Sequence, residues 1–170
     1  MRRKINARKP DATEAAWHTL LRLFGLVRQV MEPYFARFGI SGPQWGVLRV
    51  LQRAESNGEA ELRLRDVGQR LLIQPPSVTG VVDRLERRGL VQRNHSKADL
   101  RARCLSLTPA GREMISKVLV GHAAQIRLPF DGLSPQELER LLALLTRLET
   151  NMRVLAGRPS GVAAPKSART

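Results

Sequence analysis

The sequence predicts a mainly α-helical fold with a small β wing, and three observations carry that prediction. First, Pro75-Pro76 opens a helical pattern in which Val78, Val81, Val82 and Leu85 fall at i, i+3, i+4 and i+7, and Gly89 closes it. Second, Leu90–Arg93 has strand character, Asn94–Leu100 is polar and turn-like, and Arg103–Leu107 alternates with period two, which together make a hairpin. Third, a shorter helical pattern, Arg65–Leu72, precedes both; it puts Val67, Leu71 and Leu72 on one face and stops at Ile73-Gln74. Helix, turn, helix, hairpin is the order of a winged helix-turn-helix.

The flanking elements follow in order. Residues 1–10 form a basic arm. From Asp11 to Phe38 the apolar residues, Trp17, Phe24, Tyr34 and Phe35 among them, keep helical spacing, with Pro33 as a candidate bend and Gly39 as the stop. That stripe is wider than one small domain needs, so residues 11–40 read as a helix that meets a second chain. Ser41 followed by Gln44 is a capping-box pattern that starts a helix over Pro43–Ala54, and Asn57-Gly58 is a turn. Glu61–Leu64 alternates enough for a third short strand. Residues 41–108 make up the winged module.

Thr108-Pro109 reads as the N-cap and first position of a helix ending near Leu128, and Ser134 with Glu137 as a second capping box. In the last helix Leu138, Leu141, Leu145, Leu148, Met152 and Leu155 are spaced 3, 4, 3, 4 and 3, the seam of a two-helix coil that needs a partner helix. Residues 109–156 therefore read as dimerisation helices flanking the module on its C-terminal side. Residues 157–170, rich in Gly, Pro, Ala and Ser, read as a disordered tail.

Charge narrows the partners. The net charge is +14. Residues 1–9 hold five bases and no acid, residues 62–103 ten bases and four acids, and residues 153–170 four bases and no acid. Positive charge thus sits on the winged module and both tails, as expected of a nucleic-acid binder. No apolar run approaches the ~20 residues of a membrane span, and MRRKINARKP lacks the apolar core of a signal peptide, so the expected place is the cytoplasm. One cysteine excludes an internal disulfide framework. His18, His95 and His122 are far apart in sequence, no metal site or cofactor is expected, and no phosphate loop, nucleophile elbow or HExxH points to an enzyme.

On the helix after Pro75, the face opposite the valines carries Ser77, Gly80, Asp83, Arg84 and Arg87. Small and hydroxyl side chains at its N-terminal end allow close approach to base edges in a major groove, and arginines further along reach guanine or phosphate. The candidate DNA contacts are Gln74, Pro76, Ser77, Thr79, Gly80 and Arg84 at the major groove, Arg87, Arg88 and Arg93 at phosphate, and Arg101 with Lys97 and Arg103 at the wing. An arginine at the wing tip suits the negative minor groove, and Asp99 two residues away is placed to hold Arg101 extended. Asp83 and Asp99 read as orienting groups, since a bare carboxylate is repelled by phosphate.

The combination PSVTGVVDRLERRGLV, D-x-R at Asp99–Arg101 and LTPAG at Leu107–Gly111 resembles the MarR (multiple antibiotic resistance regulator) family, and the resemblance spans roughly Asp11–Leu155. It implies a winged helix-turn-helix transcriptional regulator on double-stranded DNA, and a homodimer in which the first and last helices of both chains interlock, Trp17 and the leucine seam included. It also implies repression relieved by a small aromatic or phenolic acid bound between the dimer helices and the reading head. Polar or aromatic residues on the first two helices, His18, Arg22, Tyr34, Phe38, Trp45 and Arg49, are the candidates for that effector. Where the family has Ser or Thr near Arg63 as a helix cap, this chain has neither. Two alternatives stand beside this reading: a non-specific architectural DNA-binding protein, and an oxidant sensor acting through Cys104, which lies in the second wing strand and away from the first helices where the family's sensing cysteine sits.

Overall fold

The computed structural model describes residues 11–59, 61–71, 75–95 and 103–157, without the side chains of Pro75, Pro76, Ser77, His95 and Arg103. Helix α1 runs Ala12–Ala36, with Asp11 as N-cap accepting from the Glu14 N–H at 2.8 Å. It continues through Pro33 and stops two residues short of the expected Phe38. There the Phe38, Gly39 and Ile40 N–H groups turn back onto the Phe35 and Ala36 carbonyls. Helix α2, Gly42–Ser56, begins with the capping box read from the sequence: the Ser41 hydroxyl accepts from the Gln44 N–H, and the Gln44 side-chain Oε1 accepts from the Ser41 N–H at 2.9 Å.

Strand β1 is only Leu62–Arg63, and α3 follows at once over Leu64–Leu71, with Asp66 in its first turn. Helix α4 spans Pro75–Arg87. Strands β2, Val91–His95, and β3, Arg103–Leu107, pair antiparallel with Val91 opposite Leu107 and His95 opposite Arg103. The third strand exists as expected: β1 adds to the far side of β3, giving the order β1-β3-β2 with Leu62 opposite Leu105.

Between α4 and the hairpin, Gly89 adopts φ +67°, a left-handed value that glycine takes without a Cβ clash. The LTPAG segment is fastened to this corner. The Thr108 hydroxyl donates to the Gly89 carbonyl at 2.6 Å and accepts from the Gly111 N–H at 3.0 Å, while the Thr108 N–H donates to the Leu90 carbonyl at 3.2 Å. Thr108 is thus the cap of α5, Pro109–Arg127, and a clamp on the end of α4. A short 3-10 turn, Leu128–Phe130, leads to α6, Pro135–Ala156, whose Ser134–Glu137 capping box is also formed.

The core centres on the module. Val47 and Leu48 of α2, Val67 of α3, Val78, Val82 and Leu85 of α4, Leu105 of β3 and Ile115 and Val118 of α5 are fully buried. Each such side chain contributes about 1.5–3 kcal/mol of burial free energy. The chain divides into two compact units, residues 1–125 and 126–170. In the second, no residue of α6 is buried. Among the described residues no helix is long and apolar enough to cross a membrane.

Candidate nucleic-acid interface

The valine stripe sets the orientation of α4. With Val78, Val82 and Leu85 fully buried and Val81 nearly so, the opposite face has to point outward. Arg84 and Arg87 are exposed there, and Thr79, Gly80 and Asp83 are partly so. Arg84 makes no ion pair among the described residues, and a Cβ added at Gly80 would sit no nearer than 3.8 Å to the Arg84 guanidinium. Arg87 Nε donates to the carbonyl of Asp83 at 3.4 Å, which lays the side chain along the helix.

Two arginines expected at phosphate, Arg93 and Arg88, already have partners within the chain. From β2, Arg93 donates to Asp83 Oδ1 at 2.5 Å and to the Glu86 carboxylate, so one guanidinium spans two acids one turn apart on α4. Its pKa is raised, chiefly by the hydrogen bond to Asp83 and then by the charge of Glu86. With both arms of its fork occupied, Arg93 is a strut that fixes the angle between hairpin and helix. Arg88 donates to the carbonyl of Gly39 and ties the end of α4 to the α1–α2 corner. Asp83 does act as an orienting group, but for Arg93.

The hairpin is braced from its own strands as well. Asn94 Nδ2 donates to Glu61 Oε1 at 3.2 Å and to Ser106 Oγ at 3.0 Å. Of the remaining candidates, Gln74, Lys97 and Arg101, with Asp99, lie outside the described residues, as do the side chains of Pro76, Ser77 and Arg103. Cys104 is buried in β3, opposite Asn94 and Arg63, and fills the place of a small strand residue.

Comparison with known proteins adds the family. The sequence pattern of the MarR family matches residues 38–102, which runs from the α1–α2 corner to the wing. The HTH-type transcriptional regulator YkoM of Bacillus subtilis (strain 168) is 29% identical over 147 residues, 86% of this chain and 92% of that protein. AbsC, a MarR family transcriptional regulator from Streptomyces coelicolor, has a similar crystal structure, with TM-score 0.74 and 27% identity over 86% of this chain and 99% of AbsC. The chain belongs to the MarR family. It is a DNA-binding transcriptional regulator, and its relatives are regulators rather than enzymes. A further similar structure is BpsR of Bordetella bronchiseptica, whose DNA binding is regulated by 6-hydroxynicotinic acid; it has TM-score 0.72 and 25% identity over 84% of this chain and 98% of that one.

Of the six residues expected for a small effector, the fold brings four together. Tyr34, Phe38 and Trp45 form a cluster with Phe35 and His122: Tyr34 and Phe38 lie 5.4 Å apart, Phe35 and Trp45 5.7 Å, and Trp45 and His122 5.2 Å. The Arg49 guanidinium sits 5.5 Å from the Trp45 ring centre. The Tyr34 hydroxyl is already used, donating to the carbonyl of Val118. His18 and Arg22 are not part of the cluster. They sit on the exposed first half of α1, His18 3.9 Å from Glu14 and Arg22 donating to Thr19 at 3.0 Å. The cluster joins α1, α2 and α5, and sequence reasoning missed Phe35 and His122 as members.

Burial, and then the Arg49 charge, hold the His122 pKa below the usual histidine value of 6.5. A depressed folded pKa means that the unfolded chain binds the proton more readily. His122 therefore contributes full stability above pH 6.5 and loses it as pH falls towards the folded pKa. Thermal melts between pH 7 and pH 5.5 are expected to drop in the natural protein and to drop less in His122→Gln; equal slopes would contradict the assignment.

Two apolar faces remain without cover within their own units. On α1, Trp17 is 52% and Phe24 72% exposed, with Leu21, Val27 and Val30 beside them. On α6, Leu138, Leu145 and Leu148 are exposed, and Leu141 and Met152 are partly buried. Contiguous apolar surface of this kind marks an interface.

Proposed function

We propose that the chain acts as a homodimeric, ligand-responsive repressor at a pseudo-palindromic operator. The observation that carries this reading is the outward face of α4, with Arg84 exposed and in no ion pair among the described residues, beside Gly80 and Thr79 on a helix whose other side is locked in the core. Thr79 and Arg84 read bases, Gln74, Pro76, Ser77 and Gly80 lie beside them at the major groove, and Arg87 takes phosphate. Arg101, with Lys97 and Arg103, enters the minor groove beside it. Pairing through the exposed faces of α1 and α6 sets two such heads about one helical turn apart, roughly 10 base pairs.

Regulation goes through the cluster around His122. A small aromatic or phenolic acid that prefers the spacing of heads unsuited to DNA shifts the population away from the bound state. The effector class is supported by the aromatic faces and the neighbouring Arg49 charge, and by BpsR, which responds to a hydroxylated aromatic acid.

Arg84→Ala and Arg101→Ala are each expected to weaken binding to the selected operator by about 1–3 kcal/mol, the range for a good side-chain contact to DNA. The melting temperature of Arg84→Ala is expected to stay put, because Arg84 is exposed and in no ion pair among the described residues. Mobility-shift titration of both variants on operator and on random duplex checks this. Unchanged operator affinity would remove these residues from the interface, and equal affinity for both duplexes in the natural protein would favour an architectural DNA-binding protein.

A further inference from the structure

The second half of α2 carries Arg53, a basic group that neither the DNA-facing helix nor the aromatic cluster explains, one turn beyond the Arg49 that borders the cluster. Arg49 and Arg53, one turn apart, line an open hollow of about 280 Å³ together with Gln52, Ser56 and Asn57. Like charges at this spacing destabilise a helix. Among the described residues no carboxylate pairs with either guanidinium, and Glu55, the one acid of α2, is held by Arg112 at 2.5 Å.

The hollow is also set up in advance. Arg49 lies against the Trp45 ring and donates to Gln52 Oε1, which leaves the Gln52 amide nitrogen as a donor. Burial, and then the Arg53 charge, pull the Arg49 pKa below its usual value, as expected of a guanidinium without a counter-charge. Two guanidiniums and the Gln52 amide around one hollow form a donor set for an oxyanion, while the Ser56 hydroxyl is spent on the Gln52 backbone carbonyl at 3.0 Å.

We propose that this hollow binds a small oxyanion, a carboxylate or a phosphate, between the Arg49 and Arg53 guanidiniums. Arg49, which lines the hollow, also lies over the Trp45 ring, itself 5.2 Å from His122, so occupancy is felt through Arg49 by the cluster that joins α1, α2 and α5. The proposal does not depend on the operator reading, because binding is measured without DNA.

Isothermal titration of the full-length protein with inorganic phosphate, and separately with benzoate, at ionic strength held constant with chloride, tests it. Saturable binding of at least one anion is expected, about tenfold weaker in Arg53→Gln, the loss typical of one charge-assisted hydrogen bond, and largely kept in Arg53→Lys. Arg53 is exposed, so the variants fold. Which anion saturates identifies the ligand as phosphate-like or carboxylate-like. Absence of saturation with both, or an unchanged midpoint in Arg53→Gln, overturns the site.

Discussion

Gly111→Ala is expected to destabilise the chain by about 3 kcal/mol, at the upper end for overpacking, because the methyl group would meet backbone rather than a side chain that can move. A Cβ at this position would lie 2.0 Å from the Leu90 carbonyl oxygen and 3.1 Å from its carbon. Neither atom can retreat, since the same carbonyl accepts from the Thr108 N–H and the Thr108 hydroxyl holds Gly89. The contact welds the first turn of α5 to the corner where α4 becomes the wing. Opening it would loosen the reading head at its base. Urea denaturation checks this, with the exposed neighbour Ala110→Gly as control, whose cost is expected to stay below about 1 kcal/mol. A Gly111→Ala midpoint equal to that of the natural protein would mean that the corner is slack.

Leu145→Glu combined with Leu148→Glu is expected to dissociate the molecule while leaving each chain folded. Both leucines are exposed on α6, so the charges cost little within one chain. In a paired seam they would be buried without partners, and an unpaired buried charge is strongly disfavoured. Sedimentation should report a dimer for the natural protein and a monomer for the variant. Affinity for a two-half-site operator should fall by about 10²-fold or more, because the second head no longer binds at the effective concentration the first provides. A variant that stays dimeric would place the interface elsewhere.

Much of this was legible before any coordinates. The capping boxes at Ser41 and Ser134 follow from a hydroxyl with an amide or acid three residues on, a local rule that tertiary contacts seldom override. The α4 stripe was equally plain, because four branched residues at helical spacing leave only one side to bury. What escaped were pairings across sequence. Arg93 looked like another base on a basic module; that it meets Asp83 and Glu86 depends on how the hairpin folds back over α4. Two acids one turn apart ahead of a glycine corner, with an arginine just after it, were the available signal. His122 gave less warning. It reaches Trp45 and Phe35 only because α5 crosses the α1–α2 corner, where Gly121 leaves a Cβ just 3.2 Å of clearance from the Tyr34 hydroxyl. Helical spacing marks an aromatic as buried and does not say against what.

The central claim is that two copies of the outward face of α4 read one DNA site. The most direct measurement is binding of the full-length protein, at one fixed salt concentration, to the fragment it selects from its source genome and to a random duplex of equal length, with stoichiometry read from the same titration. A preference of ~10³-fold or more for the selected fragment, with two chains per fragment, is the predicted result. Equal affinity for both duplexes, or one chain per fragment, would contradict it.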